Sequence, residues 1–202
     1  AVARVLDTSG SMSGEPIAQL NAGVQFFIDE VRRDDLARWS VELAVFTAGG
    51  SVDCLLDFTG VDGIVGITPM HASGNTPLGE ATRLALDRLE ARKNDYRRAG
   101  VPYYQPWLVL ISDGAPTDSW QEAANRARTL AQSRKLVSLP IGVQGADLSV
   151  LSAFSNKPAV ALDGLKFREL FQWLSASMSR VSASTSSEAA VNLPPMDAWA
   201  SI

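Results

Sequence analysis

Side chains that carry oxygen recur at alternate positions directly after the first apolar run of the chain, residues 2–6. Asp7, Ser9 and Ser11 place one carboxylate and two hydroxyls where a strand would end in a loop. Alternate residues of an extended segment point to the same side, so the three groups can reach one small volume. Such a set, without sulfur or imidazole, suits a hard divalent cation. The segment therefore predicts part of a metal site.

Two later stretches contribute further oxygen atoms. Residues 74–79 contain Thr76, and residues 112–114 contain Asp113 directly after a continuous apolar run. Mg²⁺ takes about six oxygens and keeps some of its waters, and neutral hydroxyl ligands leave it electrophilic. An ion held in this way can accept a carboxylate from another molecule at an open position. Taken singly, each stretch has another interpretation, as a loop cap, a helix N-cap or a turn.

Apolar patterns predict strands that alternate with helices along the chain. The periodicity is helical at residues 16–32, 77–98, 119–134, 147–154 and 167–181. Short apolar runs predict strands at residues 2–6, 41–46, 52–58, 107–111, 136–143 and 159–162. Asp118 or Ser119 is expected to cap the third helix. Pro140 favours an edge or bulged position for the strand that contains it.

This alternation indicates an α/β fold, a doubly wound and mostly parallel sheet with helices on both faces. The turn signal Gly49-Gly50 between two strand-like runs adds a hairpin. In such sheets ligands bind at the carboxyl ends of the strands, at the topological switch point. Asp7 and Asp113 each follow a strand, so we expect both at the same edge of the sheet.

Three motifs together resemble the von Willebrand factor A (VWA) domain with its metal-ion-dependent adhesion site. They are Asp7-Thr8-Ser9-Gly10-Ser11-Met12, Gly74-Asn75-Thr76-Pro77-Leu78-Gly79 and the run from Ile111 to Asp118. The resemblance covers residues 2–181 and implies that the metal ligands are Asp7, Ser9, Ser11, Thr76 and Asp113. It implies Mg²⁺ as the ion, with Mn²⁺ or Ca²⁺ as alternatives. It also implies a Rossmann-like sheet with one antiparallel edge strand, which matches the hairpin.

Within that family the chain resembles the bacterial tellurium-resistance TerY type, also called YegL-like. The supporting stretches are residues 13–17, 92–107, 116–120 and 167–174, with the Ser-rich end of the chain. This resemblance implies a cytoplasmic, stress-associated protein, often encoded beside a protein kinase and a phosphatase. The chain departs from the pattern at Ser112, where Thr is usual and a hydroxyl is kept. It also departs at Arg4, where an apolar residue is expected, so the sequence does not decide which side chains of the first strand point to which face of the sheet.

One domain, residues 1–181, accounts for the alternating pattern, and residues 182–202 form a Ser-rich linker and a C-terminal tail. Trp199 lies near the end of this tail. An exposed Trp leaves a large apolar ring in water, which is unfavourable. We therefore expect the tail to fold back and dock on the domain, and the alternative is a disordered tail.

The bulk composition is that of a soluble globular domain and argues against two classes of partner. The chain has 202 residues and a net charge of −4, whereas nucleic-acid phosphates are bound by clustered Lys and Arg. There is no apolar stretch of about 18 residues and no signal-peptide pattern, so we expect no membrane partner. The chain begins at Ala1 inside a predicted strand, which leaves open a missing natural start or a lost leader.

Two single residues could suggest other chemistry. Cys54 is the only cysteine, so no intrachain disulfide can form, and its apolar surroundings predict a buried, inert side chain. His71 is the only histidine and has no partners spaced for a catalytic triad or a zinc site. We interpret it as a loop residue.

Three functions fit these patterns. The first is a non-enzymatic binding module, in which the metal recruits an Asp or Glu of a protein partner. The second is a metal-dependent phosphoryl hydrolase, which commonly has a second Asp two residues after the first; here that residue is Ser9. No phosphate-binding glycine loop supports an enzyme either. The third is a scaffold in which the site is vestigial or only stabilises the fold. We favour the binding module.

Overall fold

The computed structural model describes residues 1–113, 116–184 and 191–201. Its strands are β1 (Val2–Asp7), β2 (Glu42–Gly49), β3 (Ser51–Gly60), β4 (Trp107–Ser112), β5 (Val137–Gly142), β6 (Val160–Leu162) and β7 (Ala200–Ser201). Its α-helices are α1 (Glu15–Arg33), α2 (Ala37–Ser40), α3 (Leu78–Arg98), α4 (Gln121–Gln132), α5 (Leu148–Ser152) and α6 (Phe167–Ser182). The predicted strands and helices are all present, with ends shifted by a few residues.

The described strands form one sheet in the order β3-β2-β1-β4-β5-β6-β7. β1 pairs in parallel with β2 and β4, and the parallel part continues through β5 to β6. β3 is antiparallel to β2 at one edge, and β7 is antiparallel to β6 at the other. The predicted doubly wound α/β fold is confirmed. The second antiparallel strand was not predicted, because it comes from the tail.

Apolar side chains cover both faces of the sheet, which is why the central strands have continuous apolar sequences. All residues of β1 and β4 are buried. Val2 and Leu6 of β1 pack in the core formed with α1 and α6, whereas Ala3 and Val5 pack in the core formed with α3 and α4. No helix among the described residues has both the length and the apolar composition needed to cross a membrane.

Pro140 lies in an inner strand, so its predicted edge or bulged position is wrong. β5 has β4 on one side and β6 on the other. The Val137 N–H donates to the Pro106 carbonyl at 2.9 Å, and alternate residues of a parallel strand face opposite neighbours, so Pro140 faces β6. β6 pairs with β5 only from Ile141 onward. The missing N–H of Pro140 therefore falls just before the paired segment.

Two local predictions about surface and capping are also wrong. Cys54 is exposed rather than buried, because β3 is an edge strand with few covered residues and an irregular register against β2. Helix α4 begins after Trp120 without a side-chain cap. The Asp118 carboxylate instead accepts the N–H groups of Gly79 at 3.0 Å and Glu80 at 2.7 Å, so it caps the first turn of α3.

Residues 191–201 of the tail lie against α6 and β6. Trp199 is fully buried, and its ring centroid is 5.4 Å from that of Trp173. The Trp173 Nε1 donates to the Pro194 carbonyl at 2.8 Å, and Ala200 pairs with Leu162 in the sheet. Residues 185–190 and 202 of the predicted linker and tail lie outside the described residues, and the division of the chain after residue 181 stays a prediction.

Arg4 is fully buried within β1, on the side of α1 and α6. Its guanidinium carbon lies 3.5 Å from the ring centroid of Phe27 and 4.8 Å from that of Phe171. Within the described part of the chain, none of its side-chain nitrogens has a hydrogen-bond partner. Burial lowers the pKa of Arg4 to about 9, so the group is still charged at neutral pH. Two aromatic rings thus hold a cation on a strand face that is otherwise apolar.

Candidate metal centre

The candidate site lies where the chain diverges at the carboxyl ends of two neighbouring strands. β1 and β4 are adjacent, with Leu6 opposite Ile111. From β1 the chain leads to α1, and from β4 it leads to α4 on the other face of the sheet. This divergence is a topological switch point, which leaves a crevice for a ligand. Asp7 ends β1 and Asp113 directly follows β4, so their predicted position at one sheet edge is confirmed.

A continuous chain of hydrogen bonds joins four of the five predicted ligands. The Ser9 N–H donates to Asp7 Oδ1 at 2.8 Å. The Ser11 hydroxyl donates to Asp113 Oδ1 at 3.0 Å, and the Ser9 Oγ lies 3.0 Å from the Ser11 Oγ. Because the Ser11 proton points to Asp113, Ser9 is the donor to Ser11. Lone pairs of both hydroxyls remain for a cation, while their protons are bound in a fixed order.

Asp7 is fully buried, and its second oxygen also has a partner. The Ser112 hydroxyl donates to Asp7 Oδ2 at 2.5 Å from the last position of β4. Ser112 therefore keeps the hydroxyl that Thr was expected to supply at this position. The two bonds to Asp7 fix the carboxylate plane, so the strand pairing of β1 and β4 sets the orientation of this oxygen pair.

Thr76 is buried in the second loop of the site, and it is the one predicted ligand outside the hydrogen-bonded chain. Its N–H donates to the Thr117 hydroxyl at 3.1 Å, and its carbonyl accepts the Thr117 N–H at 2.9 Å. The same loop contacts the first motif, because the Gly10 N–H donates to the Gly74 carbonyl at 2.9 Å. Thr76 is not the N-cap of α3, since Pro77 takes that position. Gly114 and Ala115 of the third motif lie outside the described residues.

Close backbone packing brings these loops together. A Cβ on Gly74 would lie 2.5 Å from the Gly50 Cα, and one on Gly49 would lie 2.2 Å from the Thr8 carbonyl oxygen. Gly74 also has a φ of +66°, a left-handed value that side chains disfavour. The β2–β3 turn, the first motif and the second motif can approach each other this closely only because glycine occupies these positions.

Gly74→Ala is expected to destabilise the protein by about 3 kcal/mol, because left-handed strain and a backbone collision both oppose the new methyl group. Gly100→Ala is the matched control: Gly100 has a φ of +64°, but a Cβ added there would meet no neighbouring atom within 4 Å. Gly100→Ala should be destabilised only by the left-handed strain, by about 1–2 kcal/mol. Urea unfolding of both variants measures the difference, and equal losses would contradict the packing argument.

The charge of the site is unbalanced. The ion pairs of the described residues involve neither Asp7 nor Asp113. Burial, together with the nearby charge of Asp7, raises the pKa of the Asp113 carboxyl, although the bond from Ser11 acts in the opposite direction. Two neighbouring carboxylates without a basic partner favour a bound cation.

The chemistry of the donors is that of a hard-cation site. Among the described residues no group of three or more His, Cys, Asp or Glu side chains is placed to hold a metal. Any ion at the switch point would therefore be held by two carboxylates, hydroxyls and water, a set that suits Mg²⁺. The residues present fit the ion that the sequence predicts.

Several residues near the site were not predicted from the sequence to position the metal ligands. Thr117 positions Thr76; it lies in the third motif, but the sequence predicts no role of its own for it. Asp118 fixes the start of α3, whose first two residues are the last two of the second motif. His71 lies beside the site on the segment before the second motif, and Glu15 lies in the first turn of α1 as expected.

The chain belongs to the von Willebrand factor type A domain family, whose sequence profile matches residues 2–172. No curated protein sequence matches it significantly. Its fold is similar to that of a von Willebrand factor type A protein from Catenulispora acidiphila, with a TM-score of 0.65 and 13% identity over 89% of this chain and 42% of that one.

Two further solved structures of similar fold are of proteins with a bound metal. Proximal thread matrix protein 1 from the mussel byssus, with a zinc-occupied MIDAS motif, has a TM-score of 0.60 and 15% identity over 88% of this chain and 47% of that one. Manganese-loaded TRAP protein from Plasmodium vivax has a TM-score of 0.57 and 19% identity over 84% of this chain and 70% of that one. The chain spans less than half the length of the Catenulispora and mussel proteins.

Proposed function

We propose that the chain is a non-enzymatic, metal-dependent protein-binding module. A divalent cation, Mg²⁺ by preference, is held by Asp7, Ser9, Ser11, Thr76 and Asp113, and it offers an open position to an Asp or Glu of a partner. The observation that carries this proposal is the hydrogen-bonded chain from Asp7 to Asp113, which has two carboxylates and, among the described residues, no basic partner. The zinc in the mussel byssus protein and the manganese in the Plasmodium vivax TRAP protein support a metal at this place.

The same residues argue against a hydrolase. The position two residues after Asp7 holds Ser9, and a hydroxyl does not serve as a general acid or base near neutral pH. The carboxylates of Asp7 and Asp113 are both committed to hydrogen bonds within the network. A cation in this site is therefore better suited to bind and hold an acidic ligand than to support hydrolysis.

We also propose a cellular setting from the sequence. The stretches that resemble the TerY type favour a bacterial, cytoplasmic protein of a tellurite-resistance or related stress system. A kinase or phosphatase encoded nearby is then the first partner to examine.

Capture of partners from the native host tests the proposal. The wild-type protein should retain its partner in Mg²⁺ and lose it in EDTA, and Asp7→Asn should not retain it in either buffer. Asn preserves the shape of Asp7 and an acceptor for the Ser9 N–H, so the circular dichroism spectrum should be unchanged. Asp163→Asn is the control, since Asp163 also follows a strand at this edge but pairs with Lys166. Metal-independent capture would contradict the proposal.

A further inference from the structure

A cavity adjoins the candidate metal centre. It has a volume of about 460 Å³ and lies between the start of β3 and the segment before the second motif. Its walls include Thr8, Thr47, Ser51, Asp53, Met70 and His71. Thr8 stands between the metal-site residues Asp7 and Ser9, and its carbonyl accepts the Ser73 N–H at 2.8 Å from the opposite wall. The five proposed metal ligands do not line this cavity, but Thr8 joins its wall through the backbone to two of them, so the cavity lies next to the metal centre.

The fixed charge of the cavity is negative. Asp53 is exposed, and its carboxylate accepts a bond from the Ser51 hydroxyl at 3.0 Å. Among the described residues it forms no ion pair with Lys or Arg, and the cavity walls contain neither of these residues. Burial raises the pKa of the Cys54 thiol, so this wall residue is neutral. The cavity is thus complementary to a basic side chain.

The register of the sheet gives the distance from β1 to Asp53. Thr47 of β2 lies opposite Leu6 of β1 and also opposite Asp53 of β3. Two strand spacings of about 4.8 Å therefore place the Asp53 backbone about 10 Å from β1. A metal between β1 and β4 lies up to one further strand spacing away, so the separation is about 10–15 Å. Three extended residues at about 3.3–3.6 Å each, together with a long basic side chain, can span it, so a Lys or Arg within three residues of a metal-bound acid can reach Asp53.

We propose that this cavity is a second recognition subsite, which receives a Lys or Arg side chain close in sequence to the partner's metal-bound Asp or Glu. The inference rests on the proposed function, because the acid on the metal sets where the basic residue lies. The partner is then a protein segment with both signs of charge rather than a purely acidic one. Asp53 determines specificity and the metal supplies the anchor.

Binding of short capped peptides to the full chain tests this subsite. Each peptide has one Glu in a Gly/Ser background and a Lys, Ser or second Glu at one of the three positions on either side. In Mg²⁺, the best Lys peptide should bind about two- to fivefold more tightly than its Ser counterpart, the upper part of the range expected for an exposed ion pair. Asp53→Asn should remove this preference, and Asp53→Lys should transfer it to the peptide with the second Glu.

Asp57→Asn is the matched control, because Asp57 is an exposed acid of the same strand that pairs with Arg88 outside the cavity. It should leave the preference for Lys unchanged. Magnesium-dependent binding that ignores the neighbouring residue, or a Lys preference that survives in Asp53→Asn, would overturn the subsite and leave the proposed function intact. A lack of Mg²⁺-dependent binding by every peptide would contradict the proposed function and the subsite together.

Discussion

Mg²⁺ is expected to raise the melting temperature of the wild-type protein and to leave that of the Asp113→Asn variant almost unchanged. Asp113 supplies one of two carboxylates at the switch point, and it is held by Ser11 at the end of the network. At an effective dielectric constant of about 20, a unit charge 4 Å away contributes about 4 kcal/mol per charge of the ion. Removal of this carboxylate should therefore weaken Mg²⁺ binding by at least about 100-fold.

The size of the shift follows from linkage. At a free Mg²⁺ concentration about 100 times Kd, binding to the folded state contributes about 2.7 kcal/mol. For a domain of this size each kcal/mol shifts Tm by about 2–4 °C, so the expected rise is about 5–10 °C. Thermal unfolding at increasing Mg²⁺, followed by circular dichroism, measures it.

The metal-free proteins should show the opposite order of stability. In EDTA the wild-type chain keeps two carboxylates close together without a counter-charge, and Asn removes one of them while the Ser11 hydroxyl keeps an acceptor. Asp113→Asn should then melt at the same temperature as wild type or higher. Asp163→Asn, outside the network, should respond to Mg²⁺ as wild type does. An equal rise in Asp113→Asn would show that the ion binds elsewhere.

The fold could be predicted because its strongest signals are local. Largely apolar runs correspond to strands buried on both faces, such as β4 and, apart from Arg4, β1, and helical periodicity marks the amphipathic helices that cover them. The metal-site residues could be predicted for a related reason. Asp7 and Asp113 come directly after such strands, and in a parallel sheet those positions converge at one edge.

Features that depend on contacts between distant segments could not be predicted in the same way. Asp118 precedes α4, so its sequence position indicates a cap for that helix, but the carboxylate reaches the start of α3. Cys54 lies in an apolar run, but the sequence does not show that its strand has a neighbour on one side only. β7 has two residues, too few for a pattern, and forms because Trp199 is buried beside it.

The surroundings of Arg4 could not be predicted either, because they also depend on distant segments. Its position among apolar residues marks it as unusual, but sequence alone does not reveal what surrounds it. In the fold its neighbours on β2 and β4 are Val45 and Val109, and the rings of Phe27 and Phe171 lie against the guanidinium. The charge is thus held by stacking, while its hydrogen bonds to water are lost.

Arg4→Met is expected to stabilise the protein by about 1–3 kcal/mol at pH 7. Burial lowers the pKa of Arg4 to about 9, well below that of a free guanidinium, and each pKa unit corresponds to about 1.4 kcal/mol, so the charge costs about 4–5 kcal/mol. Loss of the stacking on Phe27 and a small void offset about half of that gain. Urea unfolding of both proteins measures the difference.

The pH dependence of this difference tests its cause. A base with a lowered folded-state pKa reduces stability below that pKa. The penalty disappears as the pH rises above about 9 towards the higher pKa of the unfolded chain, where that chain also loses its proton. The advantage of Arg4→Met should therefore be constant below pH 9 and decrease above it. Arg168→Met is the control, because Arg168 stacks on Phe26 at 5.0 Å but is exposed, and its effect should stay within about 0.5 kcal/mol. If Arg4→Met instead destabilises the protein, the aromatic contacts outweigh the loss of hydration, and Arg4 belongs to the core as a net stabilising residue.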